Sequence, residues 1–342
     1  MTAEALDITD FLAKSGQELI IDVRSPIEFF KGHLYNAVNI PLFEDIERAE
    51  IGTMYKHQGK EPAVARGMEI VSPKFDLFIK QVQALSKNRK VYVYCFRGGM
   101  RSNSFAWLMN QNDLNAQILR GGYKAYRNHV LNYFEKERAL ILLGGNTGSG
   151  KTDILKKLAE TCSQVVDLEH IAHHKGSAFG GINEEKQNPQ QVFENTLFHK
   201  MMETDPALPI IMENESQSIG YNKIPSGLWN NMKKGTIIKL NVPLELRVQK
   251  LVADYTTVDI NELKTSVLKI AQQLGPLNTK NCLQHLDEGN LADVARLSLL
   301  YYDKAYDHNK TGTQLIIPIE CDTTDADVNA KKVKQVLDSL IN

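Results

Sequence analysis

Residues 139–152 read ALILLGGNTGSGKT: an apolar run, a glycine-rich turn, then Lys151 and Thr152 at the head of a helical pattern. The turn satisfies Gly-x-x-x-x-Gly-Lys-Thr in full, with a strand expected before it and a helix expected over 153–161. In such a loop the backbone from Gly145, Asn146, Thr147, Gly148, Ser149 and Gly150 curls its amides around a diphosphate. Lys151 reaches the outer oxygens, and the Thr152 hydroxyl is placed to hold Mg²⁺. A buried strand feeding a phosphate loop and then a helix opens a parallel α/β sheet.

Downstream, strands are expected at 165–166, 209–212, 236–240 and 314–319. Helical spacing covers 245–255, 263–274, 291–302 and 326–340, so this P-loop NTPase-like α/β domain ends in a helical C-terminal part. Asp167 and Glu169 follow one expected strand, and Glu213 and Glu215 follow another. A carboxylate at the C-terminal edge of a strand can orient magnesium or water. Glu213 is the leading candidate, and Glu215 reads as a helix cap or ion-pair partner. His170, His173, His174, Lys175, Arg247 and Lys250 offer local positive or titratable surface for RNA, or an ordinary solvated face. Phe179, Tyr221 and Trp229 can stack on a base or a prenyl chain, or simply fill a core.

Upstream, strands are expected at 19–23, 39–41, 90–94 and 118–119, with helices at 73–85, 102–110 and 123–134. Residues 44–68 read as polar and irregular after a charged helical start at 44–50. This alternation again favours a mainly parallel sheet, giving two α/β domains, 1–135 and 136–342, with no Pro/Gly linker between them.

The upstream half has its own anion loop. Cys95-Phe96-Arg97-Gly98-Gly99-Met100-Arg101-Ser102 lies between a strand and a helix. Loop amides and the helix N-terminus can converge on one anion, while Arg97 and Arg101 add positive charge. Such surroundings lower a thiol pKa and populate the nucleophilic thiolate. Two chemistries fit: transfer through a persulfide-like intermediate, or phosphate-ester hydrolysis through phosphocysteine. Hydrolysis also needs an acid for its leaving group, for which Glu28, Asp22 and Glu69 are candidates that spacing does not separate.

Composition limits the classes. Of 342 residues, 42% are hydrophobic and 24% charged, as in a water-soluble protein. The four cysteines form no CxxC pair and the nine histidines no HExxH pattern, so no structural zinc site or disulfide framework is expected. The net charge is -1, split as +3 up to Arg138 and -4 beyond it, so nucleic acid must be met by a local patch. No apolar window approaches membrane-spanning length, and a cytoplasmic location is expected.

Several stretches resemble known families. Asp22-Val23-Arg24-Ser25-Pro26, Glu28-Phe29, Gly32-His33, Ala37 and Asn39-Ile40-Pro41 are similar to the front half of a rhodanese domain, with Cys95 at the sulfur-carrying position and Gly121-Gly122-Tyr123 at the closing motif. The resemblance implies a rhodanese-like parallel-sheet domain in which Asp22, Arg24 and His33 hold strands and loops together. Common rhodaneses have four residues between Cys and Arg; here there are five between Cys95 and Arg101, as in Cys-dependent phosphatases.

Taken with CFRGGMRS, GGNTGSGKT, DLEHIAHHKGSAFGG, PQQVFEN, ENESQSIG and SGLWNNM, the whole chain resembles the bacterial tRNA 2-selenouridine synthase family. Phe96 stands where that family has tryptophan, and His170 where it has glycine. The resemblance implies a transferase acting on tRNA with 2-thiouridine at the wobble position. It implies geranyl diphosphate and selenophosphate as co-substrates, no tightly bound cofactor, and a selenophosphate-supplying enzyme as a partner. By this likeness Cys95 carries selenium, Arg97 and Arg101 bind selenophosphate, and residues 145–152 bind the geranyl donor with help from Glu213. The residues alone leave three rivals: an ATP-dependent sulfurtransferase or kinase acting on RNA, a Cys-dependent phosphatase, and a nonenzymatic RNA- or nucleotide-binding regulator.

Overall fold

The structure, a computed structural model, describes residues 3–87, 90–308 and 314–341, with the side chains of 305–308 left aside. The chain divides into two compact units: residues 1–133 with 189–195, and residues 134–188 with 196–342.

The first unit is built on a five-stranded sheet in the order Ala5–Leu6, Asn115–Leu119, Lys90–Tyr94, Leu19–Asp22, Val38–Asn39, with every pairing parallel. Strand Lys90–Tyr94 is buried on both faces beyond Lys90, as a sheet covered on both sides requires. Val91, Val93, Ile21, Val23 and Ile118 pack with Phe78, Val82, Phe105 and Met109 from flanking helices. Tyr94 is in register with Asp22, so Cys95 leaves the sheet at the edge where Val23, Arg24 and Ser25 also leave it.

Residues 44–68 are not irregular. They form helices Asp45–His57 and Lys60–Val71. A reciprocal cap starts the first, since Glu44 and Glu47 each bind the other's backbone. Polar side chains tie the pair down: Arg66 bridges Glu50 and Glu69, and Lys74 binds Glu47 at 2.6 Å. Only Ala63, Gly67 and Val71 of the second helix are buried, and Gly67 lies against the Phe43 ring. That thin apolar stripe is why hydrophobic spacing does not announce these helices.

The segment 189–195 joins the first unit through polar contacts. Gln191 accepts from the Tyr123 hydroxyl at 2.9 Å, and Asn195 donates to that hydroxyl at 3.1 Å and to the His33 carbonyl at 2.7 Å. Arg127 pairs with Glu194 and donates to Asn195.

The second unit has a four-stranded parallel sheet in the order Ile316–Glu320, Thr236–Asn241, Leu140–Gly145, Ile210–Glu213. Val165 adds a single parallel bridge to Ile211. The central strand is apolar throughout and ends in Gly144-Gly145, opposite Lys239 and Leu240, which brings the phosphate loop to the middle of the sheet edge. Helices Lys151–Ala159 and Ala326–Ile341 cover one apolar cluster around Ile141, Leu143 and Ile238. A second cluster belongs to the C-terminal helices. The stretch expected as one helix over 263–274 is two, Ile260–Lys269 and Ala271–Leu274, followed by Pro276–Asp287, which begins with a helix-compatible proline. Among the described residues no helix is long and apolar enough to cross a membrane.

Candidate active site

In the first unit, strand Lys90–Tyr94 hands Cys95 directly to the N-terminus of helix Met100–Asn110. The Gly99 amide donates to Cys95 Sγ at 3.3 Å, and the Ser102 hydroxyl lies 3.3 Å from the same sulfur. Cys95 is only 3% exposed, but its buried sulfur faces these donors. Burial by itself pushes the thiol pKa up. The Ser102 hydroxyl, the backbone amides of Ser102 and Arg97 and the Arg101 charge outweigh it, so the pKa lies below the ordinary thiol value.

The loop keeps its shape through glycines that no other residue can replace. Gly98 has φ +64°, and a Cβ there would sit 2.6 Å from the Leu119 carbonyl. Gly122 has φ +58°, and its Cβ would lie 2.2 Å from the Cys95 carbonyl. The Gly121-Gly122 turn can therefore press against the cysteine loop, where the Tyr123 and Lys124 amides take the Cys95 and Phe96 carbonyls at 2.8 and 3.0 Å. At Gly99 the corresponding space is open, leaving room beside its amide.

The two arginines part company. Arg101 donates to Glu28 at 2.8 Å, whereas Arg97 is exposed with its guanidinium 5.7 Å from the Phe96 ring. Partial burial pulls the Glu28 carboxyl upward, but hydrogen bonding and charge from Arg101, with help from the Ser25 amide and Arg48, hold it below the usual carboxylate range. Glu28 is thus an ionised partner of Arg101. Asp22 is locked against Arg24 at 2.6 Å, while Arg24 also donates to the Gly32 carbonyl at 2.6 Å. Glu69 pairs with Arg66 on a surface helix. None of the three acids proposed for phosphate-ester hydrolysis is presented to the thiol as a proton donor, which leaves transfer as the chemistry this loop favours. His33 Nδ1 donates to the Phe29 carbonyl, 3.0 Å away, a loop-holding contact.

In the second unit, Gly148 and Gly150 have φ +81° and +79°, the left-handed residues that let the loop close around an anion. Lys151 starts the helix, is buried, and donates to the Gly145 carbonyl at 3.0 Å. The Thr152 hydroxyl donates to Glu169 at 2.5 Å. Arg247, buried under the loop, donates to the Thr147 carbonyl at 3.2 Å and pairs with Asp303, which also takes a hydrogen bond from Asn146. Lys250 lies near Gly150 and is held by Asp153 at 2.7 Å.

The carboxylates behind the loop divide differently from the sequence expectation. Glu213 is fully buried, accepts from the Leu168 amide at 2.8 Å, and is pushed well above the carboxylate range by burial, then by Asp167 and Glu169. The side chain that meets Thr152 is Glu169. Glu215, packed against Gly176, is raised by burial and by Glu169 to about 7, with Lys151 only partly offsetting them. The sequence puts Glu213 first among these four acids, because it follows the longer expected strand. The signal for Glu169 is the short helix Leu168–Ala172, which Asp167 caps and which turns that side chain back toward Thr152.

Other candidates disperse. His173 sits 3.7 Å from Glu185, Lys175 pairs with Glu184, and Lys233 lies over Trp229. Tyr221 is exposed and bonded to the Gln187 carbonyl. Phe179 is buried in the C-terminal helical cluster. Among the described residues no group of three or more His, Cys, Asp or Glu side chains is arranged to hold a metal ion.

A rhodanese-like unit with an activated thiol, carried on one chain with a P-loop unit, defines a transferase. Residues 7–129 match the rhodanese-like domain, and residues 138–331 match the tRNA 2-selenouridine synthase AAA domain. The chain is 38% identical over 263 residues to the tRNA 2-selenouridine synthase of Shewanella denitrificans, covering 75% of this chain and 70% of the relative. It is 37% identical over 259 residues to that of Bordetella bronchiseptica, covering 73% and 69%. Against that of Bordetella petrii it is 32% identical over 331 residues, covering 85% and 86%. The chain belongs to the tRNA 2-selenouridine synthase family.

Proposed function

We propose that this chain converts wobble 2-thiouridine in tRNA to 2-selenouridine in two stages divided between its two anion loops. Residues 136–342 act as the donor domain for geranyl diphosphate, and residues 1–135 act as the thiol domain for selenium. In the first stage the uridine sulfur attacks C1 of the geranyl donor, the C1–O bond breaks and diphosphate departs. Amides of residues 145–150 and the Lys151 ammonium take up the charge that develops on that leaving group. The P-loop then serves a prenyl diphosphate and needs no ATP.

In the second stage selenophosphate lies with its phosphoryl group on the loop amides, the exposed Arg97 and the Glu28-paired Arg101 nearby. The Cys95 thiolate attacks phosphorus, and the P–Se bond breaks with its electron pair leaving on selenium. Water later frees phosphate from Cys95, so that selenide is delivered at the thiol loop. Selenium replaces the geranylthio group at C2 of the base. Alkylation gives this exchange its physical sense, because it turns a thiocarbonyl sulfur into a thiolate leaving group. A selenophosphate-supplying enzyme is the matching partner.

Mg²⁺ suits the Thr152 hydroxyl and the Glu169 carboxylate, which are hard oxygen ligands 2.5 Å apart. With only two such groups in place, the ion would keep water and diphosphate oxygens as its remaining ligands and would neutralise the leaving group.

The observation that carries the reading is Cys95 Sγ, buried yet held by the Gly99 amide and Ser102 hydroxyl with its pKa drawn down. The test separates the stages on thiolated tRNA by mass spectrometry of the nucleoside. Cys95→Ser should geranylate at the parent rate and fail to selenate, and full selenation by that variant defeats the assignment. Lys151→Ala should lose geranyl transfer first.

A further inference from the structure

We propose that the prenyl tail of the donor lies in a cavity roofed by the C-terminal helices, and that the residues closing this cavity set the chain length the protein accepts. The inference rests on the reading of residues 145–152 as the geranyl diphosphate site. The cavity begins at Thr147 of the phosphate loop and Ser177, and is lined by Phe179, Tyr255, Leu263, Val294 and Tyr302 of one apolar cluster and by Leu251, Ala295 and Leu299 of another. It therefore lies where these two clusters meet, the second of them completed by Val248.

Three features match an isoprenoid rather than a nucleoside. The cavity opens on the loop that grips the diphosphate, so a tail leaving the second phosphate enters it without crossing solvent. Its walls are aliphatic and aromatic, and among the described residues no charged side chain lines it. Among the described residues its side-chain polar groups are the hydroxyls of Thr147, Ser177, Ser298, Tyr255 and Tyr302, with no carboxylate, amide or cation to read the edge of a base, while a prenyl chain asks for none.

The space is narrow, about 50 Å³, less than ten carbons need. Entry must part the walls, and Leu251, Tyr255 and Tyr302 are only partly buried side chains able to move. Tyr302 also accepts from the Ala178 amide at 2.9 Å, which ties the 177–179 loop to the helix that carries Val294 and Leu299.

The experiment titrates the full-length chain with geranyl diphosphate, farnesyl diphosphate, inorganic pyrophosphate and ATP. Each buried methylene is worth about fourfold in affinity. Ala295→Phe, which fills the cavity, should weaken geranyl diphosphate by about tenfold or more and leave pyrophosphate unchanged. Leu263→Ala, which enlarges it, should shift preference about tenfold toward the fifteen-carbon donor. A folded Ala295→Phe chain that binds geranyl diphosphate like the parent overturns the proposal, as does one that loses ATP alone. If Ala295→Phe fails to fold, Leu263→Ala decides, and unaltered chain-length preference counts against the cavity. Loss of geranyl diphosphate in Lys151→Ala beside parent-like binding in both cavity variants sinks the cavity and spares the P-loop assignment. A parent chain indifferent to geranyl diphosphate sinks both.

Discussion

Cys95 Sγ and Ser102 Oγ lie 3.3 Å apart although six residues separate them, because one turn of helix follows a tight loop. That hydroxyl does most to lower the thiol pKa against burial. Ser102→Ala should therefore move the pH midpoint of Cys95 alkylation upward, read by iodoacetamide labelling and mass spectrometry of the Cys95 peptide. Cys282 supplies the internal contrast, since burial raises its pKa. A Cys95 midpoint that stays put in Ser102→Ala would show that the loop amides and the Arg101 charge activate the thiol without the hydroxyl. Cys95, Arg97, Arg101 and residues 145–152 were all legible as candidates from motif spacing. That Arg101 is spoken for by Glu28, and that Glu169 rather than Glu213 meets Thr152, depends on side-chain directions that spacing does not encode.

Two elements show how the backbone builds the thiol loop. The turn before helix Gly122–Phe134 presses on the cysteine loop so closely that a Cβ on Gly122 would fall inside the Cys95 carbonyl, at a φ that L-residues avoid. Gly122→Ala should cost about 3 kcal/mol or more of stability. Gly99→Ala, at φ -100° with nothing within 4 Å, should cost less than about 1 kcal/mol. Urea denaturation of the two variants side by side checks the pair, and equal losses would refute the packing argument. Strong apolar runs such as 90–94 and 139–143 declared their strands. Helices Asp45–His57 and Lys60–Val71 did not, because caps and ion pairs hold them and few of their residues are buried. The PQQVFEN stretch likewise had no visible purpose until Gln191, Glu194 and Asn195 were found on Tyr123, Arg127 and the His33 carbonyl.

At the scale of the molecule, burying acid behind the phosphate loop makes stability depend on pH. Glu215 titrates near 7 in the fold and near 4.5 in the open chain. Between those values the unfolded chain has released a proton that the folded chain keeps, so stability is full below about pH 4.5 and falls as pH rises toward 7, by about 3 kcal/mol from this group. Glu215→Gln should flatten that fall in unfolding curves taken from pH 4.5 to 8. Curves parallel to the parent's would exclude Glu215 as its source. The sequence by itself determined two α/β sheets and two anion loops, since each is written in a local run: an apolar strand, glycines that bend, and a helix that follows. Only the tertiary structure decided which acids stand behind the P-loop, which arginine is neutralised, and where an apolar cavity meets Thr147. Those outcomes join residues as far apart as Thr147 and Tyr302, and contacts at such separation are set by packing, which a local pattern does not specify.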